Sequence, residues 1–167
     1  MAIKITPCGV RVIDRHEEVL LGHATGSAHW DIPKGIPEPD ETPRDTAARE
    51  VLEETGLRLD PKALLDLGRF AYRPRKDLHL FAILSDRVEP SGCVCSSQFM
   101  DRSGRLRPEI DAFEWTPFER VTARCARSMA AVLTGPVSLR AVAAQLMSGS
   151  AAAARAPPNV DAPTRIR

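Results

Sequence analysis

Apolar and polar positions alternate along residues 3–13 and again along 18–24, which predicts two strands joined by the polar turn DRHEE. Residues 42–55 change to helical spacing. ALLDLGRFAY at 63–72 and LHLFAIL at 78–84 return to strand patterns, and EIDAFEW at 109–115 reads as a short alternating strand. Two further helices are predicted at about 117–133 and 138–147, opened by Thr116 before Pro117 and by Ser138 after Pro136. GSAHWDIPKG, residues 26–35, mixes Gly, Pro and both polarities, so it is a loop or short extended segment. Residues 90–108, with scattered Pro, Gly and Ser, read as a long loop. Strands mixed with a few helices in this order indicate an α/β or α+β sandwich.

Beyond residue 148 the periodicity ends. The stretch 149–167 is rich in Ala, Pro and Arg, and is expected to form a flexible tail after a domain spanning 1–148. Arg155, Arg165 and Arg167 are read there as solvated. Lys and Arg total 23 against 22 Asp and Glu, so bulk charge gives no case for nucleic acid or an anionic membrane as partner. No apolar run approaches the roughly 20 residues that span a bilayer, and the N-terminus lacks the apolar block of a signal peptide. A cytoplasmic protein is expected, monomer or homodimer. Cys8, Cys93, Cys95 and Cys125 lack zinc spacing and are read as reduced thiols.

The helix at 42–55 carries an electrostatic oddity. Thr42 is a good N-cap, Pro43 suits the first helical position, and Asp45 suits the positive end. Gly56 can take the left-handed conformation that stops a helix, with Leu57 folding back on Leu52 in a Schellman pattern. Winding the residues at about 100° each puts Ala48, Val51, Leu52 and Thr55 on one side. Glu50, Glu53 and Glu54 fall on the other, with Arg49 beside Glu53. Like charges at this spacing, all near the negative helix end, cost roughly 1–3 kcal/mol together before screening. A solvated acidic face would leave that cost standing. A hard divalent cation, Mg²⁺ or Mn²⁺, would relieve it, because carboxylate oxygens are its preferred ligands.

The same residues spell a longer pattern: Gly35, five residues, Glu41, seven residues, Arg49-Glu50-Val51, one residue, Glu53-Glu54, one residue, Gly56-Leu57. This resembles the Nudix box of the Nudix hydrolases, with every defined position filled. The resemblance implies a mixed β-sheet sandwiched between α-helices. It implies Glu53 and Glu54 as metal ligands, Glu50 as a ligand or the general base, and the Gly35 carbonyl as part of the metal shell. Arg49 and Glu41 would form an ion pair that orients the site. The implied reaction is hydrolysis of a nucleoside diphosphate linked to another moiety. A metal neutralises phosphate oxygens and lowers the pKa of bound water, so positioning and charge do the catalysis without a Ser or Cys nucleophile.

The flanking residues bear on the substrate. Trp30-x-x-Pro33-Lys34-Gly35 is similar to the version in dinucleoside polyphosphate and diphosphoinositol polyphosphate hydrolases of the family, which implies Lys34 near a phosphate. Trp30 itself reads as core. Tyr72 lies sixteen residues past Gly56, as a substrate-stacking Tyr does in diadenosine polyphosphate branches. Pro74 is near the place of the Pro that marks the ADP-ribose branch. Arg73, Arg75 and Lys76 concentrate positive charge beside the implied site, which suits several phosphates or an edge strand protected by cations. Glu109, ahead of an alternating strand, resembles the distant acid that reaches the metals. Glu114 reads as an exposed strand residue. Phe99, Ser96 and Ser97, in the 90–108 segment, are candidates for substrate contact. The expected activity is a metal-dependent pyrophosphohydrolase of a small nucleotide, a nucleoside or dinucleoside polyphosphate. An ADP-ribose or nucleoside-diphosphate-sugar pyrophosphatase, or a non-catalytic nucleotide sensor, stands as the alternative.

Overall fold

The computed structural model describes residues 4–149 and the backbone of 165–166. The chain runs through β1 (Cys8–Ile13), β2 (Glu18–Ala24), β3 (Trp30–Asp31), β4 (Lys34–Gly35), α1 (Pro43–Thr55), β5 (Leu65–Arg73) and β6 (Lys76–Leu84). It continues through β7 (Ser97–Met100), β8 (Leu106–Pro108), β9 (Ile110–Pro117), α2 (Val121–Arg124), α3 (Arg127–Thr134), α4 (Leu139–Ser148) and β10 (Arg165–Ile166). The main sheet has the order β3-β2-β1-β6-β5, with β4 paired to β1 and β9 to β2. β1 and β6 are parallel and the other pairs in this sheet antiparallel, so the sheet is mixed.

Every residue of β1 is buried, as a central strand covered on both faces must be. Successive side chains alternate. Cys8, Val10 and Val12 pack with Ala47, Ala48 and Val51 of α1. Ile13 packs on the opposite face with Leu78, Leu80, Met129, Leu133 and Val142. Each such aliphatic side chain taken from water stabilises the fold by about 1.5–3 kcal/mol. Arg11, fully buried, points to this second face and donates to Val137 O at 2.6 Å and Val132 O at 3.1 Å, which fixes the α3–α4 connection. The expected mixed sheet between helical layers is the architecture observed.

β2, α1, β5, β6 and α4 fall close to their expected places. β1 begins at Cys8 rather than residue 3. The segment 90–108 is not one loop: it holds a 3₁₀ turn at Pro90–Gly92 and the hairpin β7–β8. Strands of four and three residues carry too little alternation to show in a sequence rich in Ser and Gly. The single helix expected at 117–133 is instead a 3₁₀ turn, α2 and α3, broken where Cys125 and Ala126 are extended. Thr116 is no cap; it is buried inside β9. The expected tail, 149–167, lies outside the described residues except Gly149 and Arg165–Ile166, whose backbone pairs in parallel with β7.

Thr42 caps α1 as expected, accepting from Asp45 N at 3.2 Å. The far end differs. Gly56 takes φ 80° and its N–H bonds Leu52 O at 2.9 Å, an αL cap, while Leu57 N–H turns to Thr55 Oγ1. The Glu53 carbonyl that a Schellman cap would use accepts instead from Ser96 N–H at 2.7 Å, and Thr55 O accepts from Val94 N–H at 3.0 Å. Gly56→Ala is expected to cost about 1–2 kcal/mol, the penalty of a Cβ in the left-handed region. It would show as a lower urea midpoint with an unchanged slope.

Candidate active site

α1 presents its acidic face to the protein rather than to solvent. Glu50 is 0% exposed, Glu53 7% and Glu54 6%. Burial raises the cost of carboxylates, so their partners matter. Arg49 supplies the nearest positive charge. Its Nε donates to Glu41 Oε1 at 2.7 Å and its Nη2 to Glu41 Oε2 at 3.0 Å. Its Nη1 reaches Glu50 Oε1 at 2.8 Å and Glu53 Oε2 at 3.2 Å. Glu41 is anchored in turn by Thr46 Oγ1 and Glu38 N–H, both at 2.9 Å. The hydrogen bond from Arg49 holds the Glu41 carboxyl below its ordinary range, against partial burial and with help from Thr46. One guanidinium thus joins three carboxylates, with the Glu41–Arg49 pair the expected one.

Gly35 lies on β4, directly under Glu50. A Cβ there would stand 2.1 Å from the Glu50 carboxyl carbon, so a side chain cannot be placed without moving Glu50. Next to it, Lys34 N–H donates to Glu54 Oε2 at 3.1 Å, and Lys34 Nζ pairs with Asp31 Oδ2 at 2.6 Å. Burial alone would lower the Lys34 ammonium, but the charges of Asp31 and Glu54 and the bond to Asp31 outweigh it and hold it protonated. Tyr72 adds a further, smaller influence in the same direction. The charge of Glu109 reaches Glu54. Burial, with Glu50 and Glu109 pushing the same way and Lys34 opposing, raises the Glu54 carboxyl to about 8.

Other expected residues stand apart from this cluster. Arg73 and Lys76 flank the two-residue turn Pro74-Arg75 between β5 and β6, where Arg75 adopts φ 61°. Arg73 lies 4.8 Å over the Tyr72 ring and donates to Ser128 Oγ at 3.4 Å, so one face of Tyr72 is already covered. Trp30 is half-buried at the core edge, between His23 and Arg124. Ser96 and Ser97 serve the scaffold: Ser96 caps α1, and Ser97 is buried beside Cys95. Glu114 is not simply exposed but pairs with Arg124 at 2.8 Å. All four cysteines are unpaired thiols.

Two residues here escaped the sequence reading. Asp31, three residues before Lys34, had a signal in that spacing. Arg69 had none: its charge bears on the buried Cys8 thiol together with Glu41, Glu50 and Arg49, which sets it over the same patch through the pairing of β5 with β6. Among the described residues, no three His, Cys, Asp or Glu side chains converge as a ready cation cage. The Arg49 head stands between Glu50 and Glu53 and supplies the positive charge there.

The NUDIX domain family model matches residues 5–134. The chain belongs to the NUDIX family. It is 38% identical over 126 residues to the 17.7 kDa protein of the e-segB intergenic region of Enterobacteria phage T4, covering 69% of this chain and 83% of that one. It is 35% identical over 121 residues to the asymmetrical bis(5'-nucleosyl)-tetraphosphatase of Rattus norvegicus, covering 65% of this chain and 76% of that one. A Caenorhabditis elegans Ap4A hydrolase in a binary complex shares the fold, with TM-score 0.55 at 19% identity over 85% of this chain and 98% of that one. This NUDIX chain is accordingly a hydrolase of phosphoric anhydride bonds, as the box implied.

A pH dependence follows from Glu54. Its folded value, about 8, stands above the ordinary 4.5, so between these the folded protein holds a proton that the unfolded chain has released. Stability is therefore lost as pH rises through that window. Without divalent cations, the Tm is expected to fall between about pH 5 and pH 8, and Glu54→Gln to flatten that slope.

Proposed function

We propose that this NUDIX chain hydrolyses a (di)nucleoside polyphosphate with the help of a divalent cation of the Mg²⁺ or Mn²⁺ class. The observation that carries the reading is the anionic excess of a buried site. Five carboxylates, Glu41, Glu50, Glu53, Glu54 and Asp31, gather around the Arg49 and Lys34 cations, with Arg69 over the same patch. Hard oxygen donors in this excess fit a small divalent cation. Glu53 and Glu54, with Glu50, the Gly35 carbonyl and Glu109, are the groups that would hold it. Bound there, it would neutralise phosphate oxygens and acidify a water.

The chain's own residues do the rest. Arg49, tied to Glu41, keeps Glu50 and Glu53 oriented. Glu50, held by Arg49 Nη1 beside Gly35, would serve either as a further metal ligand or as the base for the attacking water. Lys34, with Arg73 and Lys76 at the β5–β6 turn, would contribute the positive charge that receives the phosphate chain, and the exposed part of the Tyr72 ring would meet a base. The identity with the rat tetraphosphatase favours a dinucleoside polyphosphate over a nucleoside-diphosphate sugar. The full set of box carboxylates weighs against a non-catalytic sensor.

Glu53→Gln is expected to lower kcat by orders of magnitude while the unfolding transition persists; a nucleotide panel with magnesium, read by mass of products, tests both substrate and role. Lys76→Ala is expected to raise KM more for tetraphosphates than for diphosphates. Equal shifts on the two series would remove Lys76 from the phosphate path.

A further inference from the structure

A cleft of about 660 Å³ opens between the β7–β8 hairpin and the β2–β3 turn, lined by Thr25, Gly26, Phe99, Met100, Arg102 and Arg107 among others. We propose that it is the subsite for the distal nucleotide of a dinucleoside polyphosphate, a refinement that rests on the activity proposed above. Its size is that of a small-molecule pocket, roughly 300–1,000 Å³. Its chemistry suits a base with a phosphate attached. Phe99 and Arg107 are cross-strand partners, so their side chains share one face of the hairpin. An aromatic ring supplies a stacking platform for any base, and the guanidinium supplies a fork for phosphate. Arg102 adds a second positive charge on the same wall.

The wall is built rather than loose. Asp101 Oδ1 accepts from Ser103 N–H at 2.8 Å, Ser103 Oγ at 2.6 Å and Arg105 N–H at 3.0 Å. Asp101 N–H bonds Arg105 O at 2.9 Å, and Gly104 takes φ 80° to close the turn. The Ser103 bond, with that from Arg105, keeps the Asp101 carboxyl low and ionised, so the cleft holds one negative charge against two positive. A wall ordered before binding avoids the entropy of ordering it afterwards.

The cleft is joined to the acidic site through the backbone. Thr25 N–H bonds Glu109 O at 3.0 Å, Glu109 N–H bonds Ser97 O at 3.0 Å, and Ser96 N–H bonds Glu53 O at 2.7 Å. Glu109 follows the last residue of β8 directly. In the proposal, the phosphate chain runs from the α1 carboxylates past Glu109 toward the cleft. The cleft lining holds two guanidinium groups and one carboxylate, a charge suited to one phosphate-bearing nucleotide, so a polynucleotide is kept as an outcome of the test.

The test compares the wild-type chain with Phe99→Ala and with the double variant Arg102→Ala/Arg107→Ala; the two arginine side chains are exposed, Phe99 is half-buried, and Arg107 also lies 3.8 Å from Asp101. The probes are a methylene-bridged dinucleoside tetraphosphate, a mononucleoside tetraphosphate and a 5'-triphosphorylated oligonucleotide, bound calorimetrically with magnesium present. Kd for the dinucleoside probe should weaken about tenfold or more in each variant and that for the mononucleoside by less than about twofold, the scale of one lost stacking or phosphate contact. Equal losses on both nucleotides, no loss on either, or a loss on the oligonucleotide as large as on the dinucleoside probe would overturn the subsite. Turnover of the unmodified compounds separates the two proposals. A wild-type chain that hydrolyses none of them but keeps the selective binding difference retains the subsite and loses the activity. One that hydrolyses them all without that difference does the reverse.

Discussion

Burying three glutamates on one helix face is the constraint around which the molecule is arranged. Carboxylates taken from water need compensation, and the fold gives it in three ways. Arg49 reaches Glu41, Glu50 and Glu53 with one guanidinium. The β4 backbone meets Glu54 through the Lys34 N–H. Gly35 leaves the room that the Glu50 carboxyl fills. Burial still dominates at Glu54, whose carboxyl is pushed up to about 8, with Glu50 and Glu109 adding to it and Lys34 opposing; the cation proposed above would act on this group.

The scaffold keeps this unfavourable arrangement in place from below and from the side. Val10 and Val12 of the central strand, with Ala47 and Val51 of α1, anchor the apolar side of the acidic helix. The C-terminal end of α1, where its dipole most disfavours anions, gives its Glu53 and Thr55 carbonyls to Ser96 and Val94. The hairpin that follows carries a second, cationic cleft. Acidic centre and cationic cleft are therefore two ends of one hydrogen-bonded unit.

The local signals in α1 were legible because they depend on near neighbours. Thr42 caps a helix by bonding the N–H three residues on, and Gly56 stops it because glycine tolerates positive φ. The spacing that made the box recognisable also placed Glu41, Arg49, Glu50 and Glu53 in one bonded group. The 90–108 segment was opaque because its two short strands depend on pairing with each other, on the distant Arg165–Ile166 and on bonds to α1 and Glu109. The break at Cys125 was hidden for a related reason. Trp30 bridges to Cys125 across sequence distance, and a helical pattern cannot announce a partner ninety-odd residues away.

By itself, then, the sequence determined the acidic cluster and its helix, through periodicity, caps and fixed spacing, and an α/β or α+β sandwich, through the order of its elements; the family and the mixed sheet between helices were implied by the resemblance of that spacing to the Nudix box. Tertiary structure decided that the cluster is buried, that Arg69 and Asp31 stand at its edge, and that Arg73 is spent partly on Tyr72 and Ser128. It also decided that Phe99 and Arg107 share a cleft. The reason is physical: burial, field and cavity are properties of what surrounds a side chain, and those surroundings come from strands and loops that meet only when the chain has folded.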